Sequence, residues 1–184
     1  MKNLRLILFF VVGLAQLAVP ASVVWKRTRT LQEGRVWKFR TAPVDPEDAL
    51  RGRYVSLQFA AEDYPANQQM NEDAGYATLK EGPEGFAEVE NLSATPVEMS
   101  GDNVLKVKVR GWYNNLQHLE FPFDRYWVSE KLAPAAEAAY FANSTRKKMN
   151  AYVTVRVRRN DAAFEELYID IRPLKEYLAG QAKP

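Results

Sequence analysis

Carboxylates gather at one place in this chain. Asp45, Glu47 and Asp48 fall within one short stretch, and Asp124 or Glu130 can approach them across the fold. Carboxyl groups brought into pairs do acid–base work in hydrolysis or hold a hard cation. The local group has a plainer role. Asp45 before Pro46 reads as a helix N-cap with proline at the first helical position, and Asp48 returns a hydrogen bond as in a capping box. Gly52 then ends the short helix, and a strand starts at Arg53. Arg51 and Arg53 flank this turn. They suit an anion, or an ion pair with Asp45 or Asp124, and a turn-holding pair is the commoner outcome.

Other chemistries have less behind them. Ser56 falls on the polar face of a strand, and Ser129 precedes Lys131 without the strained turn a nucleophile needs. His118 is the only histidine, more suited to a hydrogen bond or solvent than to a metal. With no cysteine there is no disulfide framework and no thiolate metal site. Glycine-rich phosphate loops and dinucleotide fingerprints are absent, so no cofactor or metal is expected. A dense aromatic stretch, Trp112, Tyr113, Phe121, Phe123, Tyr126 and Trp127, suits a core, a lipophilic pocket or a partner surface.

The elements that position these residues are mostly strands. Val55, Leu57 and Phe59 alternate with polar residues, as do Leu105 to Val109, Val153 to Val157 and Leu167 to Ile171. A period of two marks antiparallel strands with one wet face. Arg159 to Ala162 reads as a hairpin turn, and 36–41, 75–80, 86–91 and 119–123 are further strands. Gly82-Pro83 and Gly101-Asp102 mark turns, and 64–73 reads as a mobile polar loop. An alanine-rich helix is expected from Glu130 to Lys147, with Leu132, Ala136, Ala139 and Tyr140 on one face, and a short one from Pro173 to Leu178. The fold class is therefore mainly β, an antiparallel β-barrel or sandwich with one longer α-helix and short helical turns.

Before this domain lies an apolar run. Leu6 to Trp25 carries no charge, and a helix over it reaches about 30 Å, the hydrocarbon thickness of a bilayer. Lys2 and Arg5 flank one end; Trp25, Lys26, Arg27 and Arg29 flank the other. Residues 1–27 read as a single membrane anchor and 28–184 as the β-rich domain. A signal peptide cleaved after Val19-Pro20-Ala21 is the competing reading. A short basic lead before the apolar run favours an exported domain on the inner membrane, whereas the basic residues after it favour the opposite side. Of the 25 Lys and Arg only Lys2 and Arg5 precede the run, which leaves 23 facing the 23 Asp and Glu. A formally neutral domain argues against a nucleic-acid partner.

The stretch from Thr41 to Phe59 resembles the GDYXXLXY family of membrane-anchored proteins. Their signature Gly-Asp-Tyr-x-x-Leu-x-Tyr reads here Gly52-Arg53-Tyr54-Val55-Ser56-Leu57-Gln58-Phe59. Pro43 to Arg51 is similar to the family's lead-in, and Phe123 to Glu137, which includes Tyr126, Trp127 and Glu130, to a second block. Arg53, Phe59 and Ser129 depart from the pattern, so any role for the signature's acidic residue is missing here. The resemblance implies a membrane-tethered, β-rich protein and a multi-pass membrane partner, and supplies no reaction. The expectation is a non-enzymatic accessory domain bound to an integral membrane protein or envelope component. The alternatives are a hydrolase built on Asp45, Asp48 and Asp124, and a carrier of a small lipophilic ligand.

Overall fold

The computed structural model describes residues 2–42, 54–96, 102–145 and 148–181, leaving aside the side chains of 2–8, 10 and 148. The chain is mainly β, with antiparallel sheets and three helices, and no closed barrel forms among the described residues. Helix α1 runs unbroken from Lys2 to Glu33, through Pro20 and across the expected boundary at residue 27. Among the described residues no helix is long and apolar enough to cross a membrane.

Two sheets carry the domain. One has the order β1-β11-β12-β13, from Arg35–Arg40, Ala151–Arg158, Asp161–Ile169 and Arg172–Pro173. The other has the order β3-β7-β6-β4-β5, from Asp63–Pro65, Leu116–Glu120, Val104–Tyr113, Ala74–Glu81 and Ala87–Ser93. The alternation expected of half-buried strands is present. Val153, Val155 and Val157 of β11 face Leu105, Val107 and Val109 of β6 in one continuous core. At its centre Phe39, Phe59, Phe121 and Phe123 pack ring against ring, with centroids 5.0 to 5.9 Å apart. They fill that part of the interior with their own side chains.

Two further ladders are short. Tyr54–Ser56 (β2) pairs with Arg125–Trp127 (β8), and Ser144–Thr145 (β9) with Lys148–Met149 (β10). Helix α2 spans Ala133–Asn143, shorter at both ends than expected, and α3 spans Leu174–Gln181. Ala136, Ala139 and Tyr140 are buried as their spacing requires, but Leu132 is left exposed at the N-cap. The polar stretch expected as a mobile loop begins as strand β3 at Asp63–Pro65. The strand expected over 119–123 lies earlier, at Leu116–Glu120, because a turn intervenes before β8. Arg159 and Asn160 both take positive φ, 47° and 69°, as a two-residue hairpin turn requires. Ile171, expected on the apolar face, instead sits in a turn at φ 65° and is 83% exposed.

Candidate functional site

The two stretches that stand out in the sequence meet as one ladder. Tyr54 lies opposite Trp127, Val55 opposite Tyr126, and Ser56 opposite Arg125. Leu57 then donates its N–H to the Asp124 carbonyl at 2.8 Å, and Phe59 bridges to Thr41. One strand thus connects the second block to the end of β1. Pleating sorts its residues. Val55, Leu57, Phe59 and Tyr126 turn inward, while Arg125 and Trp127 turn out. Tyr126 does not share Trp127's surface: its hydroxyl donates to Glu166 Oε1 at 2.7 Å, and burial, with Glu166 beside it, pushes its pKa upward. Phe59, where the signature has tyrosine, is buried and packs against three phenylalanine rings.

The outward face is aromatic and basic. The Trp127 ring lies 5.2 Å from that of Tyr54, and the Arg125 guanidinium sits 5.0 Å from the Tyr54 centroid. Trp127 remains 65% exposed. Beside it opens a cleft of about 390 Å³, lined by Arg27 of α1, by Asp124, Arg125 and Trp127, and by Ala162 and Phe164 of β12. A neighbouring cleft of about 520 Å³ shares Pro122, Asp124, Arg125 and Ala162 with it and adds Lys106.

Helix α1 reaches this face because its last two turns are fastened to the hairpin β11–β12. Lys26 Nζ meets Asp161 at 2.8 Å, and Glu33 meets Arg158 at 2.9 Å. Arg29 beside Glu33 holds that carboxyl below the usual range. Thr30 is buried, and Gly34 follows, where a Cβ would come within 2.5 Å of the Thr30 carbonyl oxygen. Glycine is required here by close approach of backbone to backbone. Arg158 and Asp161 lie opposite each other in the hairpin, so the helix crosses its turn end and leaves past β12, beside β8.

A second constellation went unnoticed in the sequence. Ala60–Glu62 is a 3-10 turn, and the Glu62 carboxylate folds back to accept the Phe59 N–H at 3.1 Å. Burial raises its pKa to about 7, against the opposing pull of the Phe59 and Phe121 amides and of His118. Next to it Asp63 meets His118 Nδ1 at 3.0 Å on the surface. The signal was Glu62 three residues after Phe59, where a carboxyl can reach back to the N-cap amide as in one half of a capping box. A carboxyl tied to backbone amides is a cap before it is a catalyst. No group of three or more possible metal ligands occurs among the described residues.

Pro43, Asp45, Pro46, Asp48, Arg51, Gly52 and Arg53 lie outside the described residues, so their grouping with Asp124 is not observed. Asp124 itself faces Arg125 at 3.7 Å, and Glu130 is exposed. His118 is hydrogen-bonded and half exposed, the plain outcome expected of it. The aromatic stretch divides: Phe121, Phe123 and Tyr126 are core, Trp112, Tyr113 and Trp127 are surface.

A family model described as GDYXXLXY protein matches residues 16–167, most of the chain, and the chain belongs to that family. No curated protein and no solved structure matches it.

Proposed function

We propose that this member of the GDYXXLXY family is a membrane-tethered, non-enzymatic binding domain. Helix α1 is its anchor, and the β2–β8 face meets an integral membrane protein or envelope component. The observation that carries the reading is the exposure of α1. From Val11 to Trp25 its side chains are uncharged and almost all exposed, Leu14 and Leu17 at 69% and Trp25 at 66%. Those residues reach about 22 Å along the axis, and the uncharged run extends back to Leu6 for about 30 Å in all. An apolar surface of this size on every side of a helix calls for lipid or protein around it.

The non-enzymatic reading rests on how the polar groups near the face are used. Tyr126 is bonded to Glu166, Glu62 caps a turn, and Asp124 faces Arg125. The lipophilic-carrier alternative draws no support from the aromatic core, which is packed against itself. Lys2 and Arg5 before the apolar run agree with an exported domain on the inner membrane, and Lys26, Arg27 and Arg29 after it pull the other way.

Alkaline carbonate extraction of membranes carrying the full chain tests the anchor. The chain stays with the membrane, and a variant with Leu14→Arg and Leu17→Arg is released into the soluble fraction; release of the unaltered chain sinks the reading. Cross-linking in the membrane, followed by mass spectrometry, tests the partner. A stoichiometric multi-pass protein, lost on Trp127→Ala, is the expected result for a protein partner.

A further inference from the structure

The cleft beside Trp127 sits where α1 passes from its apolar run to the domain. Arg27 lies two residues beyond Trp25, about 3 Å along the helix axis, and so at the level where lipid phosphates begin if α1 is the anchor. The charges around it do not balance. Glu120 is taken by Lys108 and Arg110, and Asp161 by Lys26. That leaves Arg27, Lys106 and Arg125 facing Asp124, whose contact with Arg125 is a long 3.7 Å. Neither Arg27 nor Lys106 has an ion-pair partner among the described residues.

We propose that this cleft, between Arg27 of α1 and Arg125 and Trp127 of β8, binds the phosphodiester headgroup of an anionic phospholipid. The inference rests on the reading of α1 as a membrane anchor and names the ligand class of the same face. Guanidinium groups suit the task because their planar forks match phosphate oxygens. The floor of Phe123, Ala162 and Phe164 is apolar, and Trp127 is amphipathic, as the upper acyl chain and glycerol require. A volume of about 390 Å³ is of the size that holds one headgroup. Asp124 disfavours a second negative charge near Arg125, which selects a monoanionic diester over inorganic phosphate. The cleft thereby fixes how the domain stands on the membrane, since its two arginines come from the anchor and from the sheet side.

The test uses the full chain in micelles of an uncharged detergent doped with phosphatidylglycerol or phosphatidylcholine, with retained lipid counted by native mass spectrometry. One phosphatidylglycerol is retained at a lipid level about tenfold below that needed for phosphatidylcholine, and millimolar inorganic phosphate does not displace it. Arg27→Gln with Arg125→Gln lowers retention about tenfold, while Lys38→Gln with Lys175→Gln, equal in charge and outside the lining of either cleft, leaves it unchanged. Both pairs are exposed, so circular dichroism shows the same fold in all three proteins. Equal retention of the two lipids, or by the arginine variant, overturns the inference. Displacement by inorganic phosphate makes this a small-anion site and overturns it too. If carbonate leaves the chain in the membrane while no lipid preference is found, the headgroup site falls alone. If carbonate releases the chain, the anchor falls first.

Discussion

Two aromatic neighbourhoods lie a few residues apart in this molecule and behave oppositely. Phe121 and Phe123 close on Phe39 and Phe59 in the interior, whereas Trp127 stands out beside Tyr54 and Arg125. What separates them is the turn at Pro122–Asp124 and the alternation of β8, which sends Tyr126 in and Trp127 out. Ring density alone therefore does not tell core from surface. The parity of the strand and the polar neighbours do.

The sharpest way to break the comparison is Phe39→Ala. This ring is 0% exposed and meets three others, so its removal costs about 3–5 kcal/mol in chemical denaturation. A loss under about 1 kcal/mol would falsify the sealed core. The effect is on stability, with the outward face altered only as the domain unfolds.

Glu62 sits at the rim of that core and gives the next effect. The folded chain holds its proton more tightly than the unfolded chain, with a pKa of about 7 against the ordinary 4.5. Protonated Glu62 thus favours folding. Its contribution is complete below pH 4.5 and fades as pH rises through 7. Glu62→Gln keeps an acceptor for the Phe59 N–H without the charge. At pH 8 this variant is more stable than the unaltered protein by up to about 3 kcal/mol, and at pH 4 the two converge. Thermal unfolding across that range decides it, and parallel pH profiles for both proteins count against the buried carboxyl.

Gly34→Ala probes the seam that brings Arg27 to the outward face. A Cβ there would meet the Thr30 and Val157 carbonyl oxygens at 2.5 and 3.1 Å, and backbone has to move. The expected loss is about 1–3 kcal/mol, with reduced protection of the Thr30 and Gly34 amides in hydrogen exchange. Unchanged protection means the helix end is not fastened as described.

Much of the sheet was legible in the sequence because period two survives wherever one face is wet. The runs at Leu105–Val109 and Val153–Val157 landed in β6 and β11 facing a common core. Their order was legible only where it is local: the β11–β12 hairpin shows in its turn residues, whereas the β1–β11 pairing joins residues more than a hundred apart that no local pattern encodes. The helix expected from Glu130 to Lys147 was too long, because alanine-rich composition says nothing of the turn at Ser129–Leu132 or of the strand that starts at Ser144. For the candidate site, both blocks were visible as text, yet their meeting as one ladder was not. Tyr126 and Trp127 are neighbours in one aromatic stretch, and only the alternation of the paired strand sends one into the core and the other to the surface. Glu62 escaped because its N-cap is a phenylalanine, which has no side-chain acceptor, so the Ser, Thr or Asp that usually marks a helix start is missing.

Trp127→Ala completes the comparison with the smallest change in stability. Its ring keeps one aromatic contact, with Tyr54, and is mostly in solvent, so the loss is about 0.5–1 kcal/mol, several times less than at Phe39. The consequence falls on binding instead. Trp127 lines the cleft with Arg27 and Arg125, and without it the apolar wall toward the membrane is gone while both cations stay. Lipid retention then drops with little change in its preference for negative charge, whereas the arginine variants lose the preference itself. A Trp127→Ala protein that is as unstable as Phe39→Ala would place this ring in the core's account. One that binds as before would leave the outward face without a role for its most exposed aromatic.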